Sequence, residues 1–290
     1  MKVLLLGKNG QLGFDLCQLL SSDDLTAYDR SDCDVSQVDA IAKLKQIDFD
    51  VLINCTAYTN VEKAEAHIED ACRINAYAVS ELAKVCEEKN AKFIHFSTDY
   101  VFGNHKDHQL ITEFDCPAPL NIYGTSKLMG ESLAQRYCHQ TYILRSASLY
   151  GAKGASGKGG NFITTILRIA KEKGEVSVVN DQWMSPTSTQ SLAQMTVDLM
   201  RSDGLPGIYH AVNAGVCSWY EFAKCFLERL EVKCVVNPVS ASVFPVCAVR
   251  PTYSALSNAK LTSVVGNIPH WKDALEHYLQ EEHGMRGGAV

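Results

Sequence analysis

A tyrosine and a lysine four residues apart are the first residues in this chain whose types and spacing indicate chemistry. Tyr123 and Lys127 occur in the stretch PLNIYGTSKLMGE, which spans 119–131. If a helix covers 123–135, the two side chains lie one turn apart on the same face. An ammonium group beside a phenol favours the phenolate and brings the phenol pKa of about 10 down toward neutrality. The pair is therefore predicted to donate a proton, as reduction of a carbonyl group requires.

The spacing alone does not identify the site, because the chain contains a second pair of this kind. Tyr220 and Lys224 occur in SWYEFAK, where Ser218 is predicted to cap a helix and the aromatic residues to pack in the core. The first pair follows FSTDYVF, whose hydroxyl groups end an apolar strand. Open α/β sheets bind ligands at that edge. We therefore assign the chemistry to Tyr123 and Lys127, and a structural role to the second pair.

A glycine-rich turn near the start of the chain predicts a phosphate-binding site. Gly7, Gly10 and Gly13 occur in GKNGQLG, directly after an apolar strand and before a predicted helix. Glycines at these offsets allow a tight turn and a close approach of the backbone, and the free N–H groups at the start of the helix hold a pyrophosphate. The turn is therefore predicted to bind a dinucleotide.

The second predicted strand, LTAYD, carries the residues that bear on the choice of cofactor. It ends at Asp29, whose carboxylate would accept hydrogen bonds from the adenosine ribose of NAD. Arg30 follows and would instead accommodate the 2′-phosphate of NADP. Asp34 is a further candidate for the adenine end, or alternatively an N-terminal cap of the next helix. The sequence leaves the choice between NADH and NADPH open.

Alternating strands and helices over the first half of the chain must position these groups. Short apolar runs such as VLINC and KFIHF are separated by longer amphipathic segments. This alternation predicts an α/β fold with a Rossmann-like, doubly wound parallel sheet, because each parallel crossover needs a helix to return the chain. We assign 1–150 to a dinucleotide-binding domain, with a helix at 187–202 that packs back on it. We assign 151–186 and 203–285 to a smaller, mixed α/β substrate-binding region.

Composition indicates a folded protein and excludes some classes of partner. The chain has 290 residues, of which 46% are hydrophobic, and a net charge of −6. It lacks the basic surface that replaces counterions along nucleic acid, so no nucleic-acid partner is predicted. No apolar run is long enough to span a bilayer, so no membrane role is predicted either. We expect a cytoplasmic monomer or homodimer, whose 11 scattered cysteines stay reduced and lack zinc-ligand spacing.

The motifs taken together resemble those of a known enzyme family. The glycine turn, the STD triplet and YGTSK occur in the order found in extended short-chain dehydrogenases/reductases. More narrowly, the chain resembles the dTDP-4-dehydrorhamnose reductases. That resemblance extends over nearly the whole chain and rests on GKNGQLG, NCTAYTNVEKAE, FSTDYVF, PAPLNIYGTSKLMGE, VVNDQWMSPT and RPTYSALSNAKL.

The resemblance implies roles for individual residues. Tyr123 would donate a proton to the C4 oxygen of the sugar, Lys127 would tune it and hold the nicotinamide ribose, and Thr98 would hydrogen-bond the same oxygen. Asp99 and Tyr100 would contact the sugar. The cofactor, NADPH or NADH, would contact Tyr123, Lys127 and a set of residues that follow the first three predicted strands: Gly7, Gly10, Gln11, Leu12, Gly13, Asp29, Arg30, Asp34, Val35, Ala57, Tyr58 and Thr59.

Departures from the family pattern concern the sugar pocket and the metal. Ser148 occurs where a tryptophan commonly lines the pocket, which widens the site, and Met184 replaces a small residue. Asn161 is predicted either to contact the diphosphate of the nucleotide sugar or to cap a helix. Some members bind Mg²⁺ between subunits through glutamates. Asp15 and Gln190 stand near those positions here, so no metal is predicted.

The reaction that the resemblance implies is reduction of the C4 ketone of dTDP-4-dehydro-L-rhamnose by NAD(P)H. The product would be dTDP-L-rhamnose, a precursor in polysaccharide biosynthesis. Two alternatives stay open: a related dTDP-4-dehydro-6-deoxyhexose as the substrate, or a non-catalytic NAD(P)-binding regulatory subunit. The presence of Thr98, Tyr123 and Lys127 together favours catalysis over the regulatory role.

Overall fold

A six-stranded sheet forms the centre of the computed structural model, which describes residues 1–103, 108–154 and 160–284. Along the chain the strands are β1 (Lys2–Leu6), β2 (Asp24–Tyr28), β3 (Val51–Asn54), β4 (Lys92–Thr98), β5 (Thr141–Ser146), β6 (Leu149–Tyr150), β7 (Glu175–Val179), β8 (Trp183–Met184), β9 (Thr187–Ser188), β10 (Gly207–His210), β11 (Cys217–Ser218) and β12 (Val235–Val239). The central sheet has the order β10-β5-β4-β3-β1-β2, and all its neighbouring strands are parallel. The prediction of a doubly wound parallel sheet is confirmed.

Helices return the chain between the strands and cover the sheet. They are α1 (Gln11–Leu19), α2 (Val38–Ala42), α3 (Val61–Ala64), α4 (Ile68–Cys72), α5 (Ala78–Glu88), α6 (Ile122–Tyr137), α7 (Phe162–Lys173), α8 (Thr189–Arg201), α9 (Trp219–Arg229), α10 (Ala259–Val265) and α11 (Trp271–His283). A π-helical turn, Arg73–Tyr77, joins α4 to α5, and short 3₁₀ turns occur at Lys43–Gln46, Asp99–Val101 and Ala241–Val243. In the part of the chain that the structure describes, no helix is both long and apolar enough to cross a membrane.

Both faces of the central sheet are buried, which explains its continuously apolar strands. Val3 and Leu5 of β1 point to one face and pack in a cluster with side chains of α1, α8 and α10. Leu4 and Leu6 point to the other face and pack with side chains of α2 and α5. Side chains alternate between the faces of a strand, so a sheet covered on both sides needs apolar residues at every position.

Two elements from the second half of the chain belong to the central sheet and the helices that cover it. Helix α8 packs against α1, and its side chains enter the same hydrophobic cluster. Strand β10 pairs with β5, from Gly207 beside Tyr142 to His210 beside Arg145. This differs from the assignment of 203–285 to the substrate-binding region, because residues 207–210 extend the central sheet and cover the edge of β5. Residue 285, the end of that assigned region, lies outside the described ranges.

A second hydrophobic cluster lies outside the central sheet. Phe222 and Phe226 of α9 pack there with Ile163 of α7 and Leu275 of α11. Strands β7 and β12 pair in parallel beside them. These elements are drawn from 151–186 and from the later part of the chain, and the same cluster includes Tyr150 of β6.

The second tyrosine–lysine pair has the structural role that the sequence predicted. Ser218 caps α9, and its hydroxyl accepts a hydrogen bond from the Glu221 amide at 3.1 Å. Tyr220 packs against the hydrophobic cluster of α7, α9 and α11. Lys224 lies 3.8 Å from a carboxylate oxygen of Glu228 on the same helix. The predicted cap and the predicted aromatic packing are confirmed.

Helix α6 approaches the end of β4 closely at Gly124. A Cβ atom at this position would lie 2.1 Å from the carbonyl oxygen of Tyr100, so a larger residue does not fit. The helix is capped by Asn121, whose Oδ1 accepts from the Gly124 amide at 2.8 Å and whose Nδ2 donates to the Val249 carbonyl at 2.8 Å. These contacts hold the first turn of α6, which carries Tyr123, against the carboxyl end of β4.

Gly124→Ala is expected to lower the free energy of unfolding by about 1–3 kcal/mol, the usual cost of forcing an extra methyl group into a packed interior. The reason is the short approach to the Tyr100 carbonyl. Urea denaturation followed by circular dichroism measures the change. Ser132→Ala, at an exposed position of the same helix, is the control and is expected to shift stability by less than about 0.5 kcal/mol. Equal stabilities of the two variants would contradict the packing argument.

Candidate active site

The carboxyl ends of β1, β3 and β4 bring the predicted site residues to one edge of the sheet. Strand β1 lies between β2 and β3. The chain passes from β1 to β2 on one side of it and then crosses over to β3 on the other side. Doubly wound sheets bind ligands in the crevice at such a switch point. Three segments meet there: 7–13 after β1, 57–59 after β3 and 98–100 at the end of β4.

The turn after β1 has the backbone geometry of a phosphate-binding turn. Gly7 has a φ of 92°, which favours glycine, and a Cβ at Gly13 would lie 2.1 Å from the Gly7 carbonyl oxygen. Helix α1 begins at Gln11, and its N-cap, Gly10, has no side chain to bond the first-turn N–H groups. Leu12 is buried in the core cluster, so it offers a ligand its backbone. These residues fit the pyrophosphate of a dinucleotide.

A set of hydrogen bonds fixes Asp29 at the end of β2. Its Oδ2 accepts from Asn9 Nδ2 at 2.8 Å, and its Oδ1 accepts from the hydroxyl of Ser31 at 2.6 Å and from the Ser31 amide at 2.8 Å. The hydrogen bonds from Ser31 hold the pKa of Asp29 below its ordinary value. Lys8, in the glycine turn, forms an ion pair at 2.7 Å with Asp32. The carboxylate of Asp29 is therefore charged and ordered next to the phosphate-binding turn.

Arg30 and Asp34 form an exposed ion pair, with Arg30 Nε 3.2 Å from Asp34 Oδ2. The other oxygen of Asp34 accepts from the Ser36 amide at 3.0 Å. Helix α2 begins only at Val38, after Gln37, so the alternative that Asp34 caps this helix is wrong. The physical reason is that a separate turn lies between Asp34 and the helix. The side chain of Asp34 closes this turn by accepting from the Ser36 amide. Val35 in that turn is buried in the core.

Thr98 and Tyr123 lie close together at the end of β4. The Thr98 side chain is near enough to the Tyr123 phenol to act on it electrostatically, in the direction that lowers its pKa. The Thr98 hydroxyl also accepts from the Tyr100 amide at 3.2 Å and donates to Asp99 Oδ1 at 3.1 Å. The ring of Tyr100 packs edge-on against that of Tyr123, with centroids 6.1 Å apart. The structure thus brings together residues that the sequence places on separate elements.

The phenol of Tyr123 is a weaker acid than the sequence predicted. Burial raises its pKa to about 12, Asp99 acts in the same direction, and the nearby Thr98 side chain only partly offsets this. The amine of Lys127 donates to the Phe96 carbonyl at 2.5 Å instead. The predicted lowering of the phenol pKa toward neutrality is therefore wrong for this structure, because the amine is directed to the backbone of β4. At neutral pH the phenol keeps its proton.

Lys127 is buried beside an ion pair that the sequence did not reveal. Burial lowers the pKa of Lys127 to about 8, and the charge of Glu131 opposes this shift. Glu131 is bound by Arg145 through Nε at 2.9 Å and Nη2 at 2.6 Å, and by the Ser97 hydroxyl at 2.5 Å. Arg145 of β5 thus neutralises the charge of Glu131, and Ser97 of β4 adds a hydrogen bond. Its spacing of four residues from Lys127 was the signal that sequence reasoning passed over.

Asp99 is a buried carboxyl group next to the phenol. Its Oδ2 accepts from the Ser254 hydroxyl at 2.6 Å, and its Oδ1 accepts from Thr98. Burial raises its pKa to about 6, against the effect of these hydrogen bonds. Ser254 belongs to RPTYSAL, a motif whose individual residues received no role from the sequence. The structure shows that this motif orders the carboxyl group predicted to contact the sugar.

The π-helical turn at Arg73–Tyr77 holds the loop after β3, another feature absent from the sequence prediction. Its Asn75 is fully buried; Oδ1 accepts from the Tyr58 amide at 2.8 Å, and Nδ2 donates to the Tyr58 carbonyl at 3.1 Å and to Ser126 Oγ at 3.0 Å. It therefore ties the segment 57–59 to α6. A π turn often marks a functional position. Within an amphipathic helical pattern, a lone asparagine is the only signal available.

The three residues that bear on the sugar pocket have different surroundings. Ser148 follows β5 by two positions and has a φ of 46°, which is unusual for a residue other than glycine. Met184 is buried in the hydrophobic cluster of α7, α9 and α11. Asn161 is the N-cap of α7, and its amide nitrogen donates to the Gly151 carbonyl at 3.0 Å and to the Tyr278 hydroxyl at 3.4 Å. The cap alternative for Asn161 is confirmed, and its amide has no N–H left for a diphosphate.

Comparison with known proteins identifies relatives over nearly the whole chain. The family model of the RmlD substrate binding domain matches residues 1–283. The dTDP-4-dehydrorhamnose reductase of Escherichia coli (strain K12) is 36% identical over 298 residues, which cover 97% of this chain and 98% of that protein. The spore coat polysaccharide biosynthesis protein SpsK of Bacillus subtilis (strain 168) is 34% identical over 283 residues, with 97% of each chain covered.

Solved structures give the same result. The dTDP-4-dehydrorhamnose reductase from Bacillus anthracis str. Ames, in complex with NADP, has a TM-score of 0.89 at 36% identity and covers 97% of this chain and 100% of its own. A dTDP-4-dehydrorhamnose reductase from Clostridium acetobutylicum ATCC 824 has a TM-score of 0.90 at 34% identity, with 98% of this chain and 100% of that chain covered. Fold and sequence therefore point to the same relatives.

Asp99→Asn is expected to change how stability depends on pH. The pKa of Asp99 in the folded chain, about 6, exceeds the ordinary 3.8, so this group stabilises the fold fully below pH 3.8 and the contribution is lost as pH rises through 6. The variant should therefore gain about 3 kcal/mol relative to the wild type between about pH 4 and pH 7. Urea unfolding at several pH values measures this difference. A difference that stays constant with pH would contradict the raised pKa.

Proposed function

The chain belongs to the RmlD substrate binding domain family, and we propose that it reduces the C4 ketone of dTDP-4-dehydro-L-rhamnose with NAD(P)H to give dTDP-L-rhamnose. The observation that carries this proposal is the close approach of Tyr123, at the start of α6, to Thr98 at the ligand-binding edge of the sheet. The relatives named dTDP-4-dehydrorhamnose reductase support it, since each is matched over nearly its full length. The product is used in polysaccharide biosynthesis, which the spore coat relative also serves by its name.

The residues at the end of β4 handle the charge that the reaction creates. NAD(P)H, when bound, supplies the hydride, and the C4 oxygen of the sugar becomes negatively charged. The Tyr123 hydroxyl donates its proton to that oxygen, and the Thr98 hydroxyl donates a hydrogen bond to it. An alkoxide is a much stronger base than a phenolate, so this transfer is favourable even from a phenol whose pKa is about 12. The raised pKa also keeps the proton on Tyr123 until the alkoxide forms.

The glycine turn and the end of β2 are proposed to hold the cofactor. The backbone of 7–13 receives the pyrophosphate, and 57–59 borders the nicotinamide half. Asp29 offers an ordered carboxylate for NADH, whereas Arg30 offers a guanidinium for the 2′-phosphate of NADPH. The ion pair of Arg30 with Asp34 is exposed and therefore weak, so it does not prevent Arg30 from turning to a phosphate. The NADP complex of the Bacillus anthracis relative supports binding of this cofactor type.

The sugar is proposed to lie against Asp99, Tyr100 and Ser148. The first two follow Thr98 directly, and Ser148 follows the neighbouring strand β5, so all three leave the same edge of the sheet. The small side chain of Ser148 leaves a wider pocket than an aromatic residue would. Because of this width, a related dTDP-4-dehydro-6-deoxyhexose is the alternative substrate to test beside dTDP-4-dehydro-L-rhamnose.

The organisation of the chain is proposed to follow its two hydrophobic clusters. Residues 1–150 and α8 form the dinucleotide-binding domain, and 151–186 with 203–285 form the substrate-binding region, apart from 207–210 in the sheet. The separate packing of α7, α9 and α11 supports this division. We further propose a cytoplasmic monomer or homodimer that uses neither a metal ion nor nucleic acid, in keeping with the net charge of −6.

Tyr123→Phe is expected to lower kcat at least about 100-fold, because it removes the proton donor. The affinity for NADPH should change little, since the hydroxyl acts mainly on the developing alkoxide. Loss of NADPH absorbance with dTDP-4-dehydrorhamnose measures turnover, and fluorescence titration measures binding. Tyr220→Phe, in the second pair, is the control and should keep wild-type kinetics. Full activity of Tyr123→Phe would refute the assignment of the proton donor.

Lys127→Ala is expected to weaken both turnover and NADPH binding, because the amine is proposed to hold the nicotinamide ribose and to support Tyr123. Loss of hydrogen bonds from a charged donor corresponds to about a tenfold or larger loss of affinity. The same absorbance and titration assays separate the two effects. Lys224→Ala is the matched control on α9. If binding of NADPH were unchanged while kcat fell, the contact with the ribose would be wrong and only the support of Tyr123 would remain.

A further inference from the structure

A chain of buried hydrogen bonds behind Lys127 has no part in the reaction as described so far. It begins at Thr56, passes through Asn54 at the end of β3 and His95 in β4, and ends at the Lys127 amine on α6. Asn54 is 1% exposed, His95 0% and Lys127 2%. Side chains this deeply buried depend on one another for their hydrogen bonds, so the donor or acceptor role of each can be worked out in turn.

The orientation of the Asn54 amide is fixed by Thr56. The Oδ1 atom of Asn54 accepts from the Thr56 amide at 3.0 Å and from the Thr56 hydroxyl at 2.6 Å. A backbone N–H can only donate, so the atom facing it must be the amide oxygen. The Nδ2 atom of Asn54 therefore faces the other way, 3.2 Å from Nδ1 of His95.

The tautomer of His95 follows from that orientation. The amide nitrogen of Asn54 can only donate, so Nδ1 of His95 must accept and carries no proton. A neutral imidazole then has its proton on Nε2. Burial, the main cause, holds the pKa of His95 well below its ordinary value, so the ring is neutral. The Nε2–H group points to the Lys127 amine, 3.3 Å away.

This N–H group matches a neutral amine and not an ammonium. A neutral Lys127 has a lone pair that accepts from His95 Nε2–H, and it still donates to the Phe96 carbonyl at 2.5 Å. An ammonium has three donors and no acceptor, so one of its N–H groups would face the N–H of His95. Both side chains are almost fully buried, so solvent screens that mismatch little.

The remaining groups around Lys127 leave this balance in place. On its own helix, Glu131 favours the ammonium, but its charge is already neutralised by Arg145 of β5 and hydrogen-bonded by Ser97 of β4. Tyr123, one turn earlier, is an uncharged phenol at neutral pH. The π-helical turn packed on α6 contributes the uncharged amide of Asn75.

We propose that Asn54 and His95 are positioning residues for Lys127: Asn54 fixes the Nε2–H tautomer of His95, and that N–H group favours the neutral amine over the ammonium. Burial already lowers the pKa of Lys127 to about 8, and the N–H group of His95 acts in the same direction. The consequence for catalysis rests on the proposed function. After Tyr123 has given its proton to the sugar, the ammonium form of Lys127 passes one proton to the phenolate, and the neutral amine that remains, which His95 favours, then takes a proton from solvent.

The tautomer of His95 is tested directly by nitrogen NMR of the cofactor-free full-length protein labelled with ¹⁵N-histidine. Comparison with His95→Gln assigns the two ring signals among the nine histidines of the chain. The expected wild-type result is a neutral ring protonated at Nε2. A ring protonated at Nδ1, or at both nitrogens near neutral pH, would overturn the proposal without any variant of Asn54.

Asn54→Asp reverses the tautomer with almost no change in shape. The carboxylate keeps both hydrogen bonds from Thr56, but it now presents an acceptor to His95, which moves the proton to Nδ1. Nε2 then becomes an acceptor facing Lys127 and favours the ammonium, as does the added negative charge. The midpoint of Lys127, followed by ¹³C NMR of labelled lysines and assigned with Lys127→Met, should rise by about one pH unit or more.

Thr56→Val is the matched control. It removes the hydroxyl but keeps the backbone N–H that orients Asn54, so the His95 tautomer and the Lys127 midpoint should stay as in the wild type. Unchanged midpoints in both variants would refute the proposal. If the midpoint rises in Asn54→Asp, the alkaline limb of the pH profile of kcat/KM, where the ammonium form of Lys127 is lost, should move to higher pH with it. A protein with the expected NMR results that oxidises no NADPH would refute the proposed function and leave this inference intact.

Discussion

The close approach of α6 to the end of β4 is the constraint on which the site depends. Because Gly124 has no Cβ, the helix rests directly on the Tyr100 carbonyl, and Tyr123 in its first turn reaches Thr98. A side chain at position 124 would move the helix outward and separate the phenol from the hydroxyl. Thr98 and Tyr123, which are proposed to act on the same sugar oxygen, come from different elements, and the contact of Gly124 with the Tyr100 carbonyl brings these elements together.

Burial at this edge of the sheet then sets the acid–base properties of the site. It disfavours every charged form, so it raises the pKa of Tyr123 and of Asp99 and lowers that of Lys127. Glu131 and Arg145 form a buried ion pair beside Lys127. Breaking such a pair would cost about 3–5 kcal/mol. Two hydrogen bonds join the partners, and Ser97 donates a third to Glu131. The site therefore combines groups whose pKa values are shifted by burial with one ion pair.

Buried asparagine side chains give the strand ends their fixed shape. Asn54 bonds the backbone of Thr56 just after β3, and Asn75 bonds both the amide and the carbonyl of Tyr58 two residues later. An amide offers a donor and an acceptor at once, so each asparagine can close a loop and still bond a second element. Fully satisfied polar networks of this kind make a site rigid. The loop that borders the proposed cofactor is held in this way from two sides.

The sequence by itself determined the parallel sheet, the phosphate-binding turn and the candidates Thr98 and Tyr123, because strand–helix alternation and glycine spacing are patterns between near neighbours. It also separated the structural pair at Tyr220 from the functional one by its cap. It placed Lys127 on the same helical face as Tyr123 but misjudged the direction of the amine. Only the tertiary structure decided that, because the Phe96 carbonyl that binds the amine belongs to a strand distant in sequence. Contacts of this kind leave no periodic pattern along the chain.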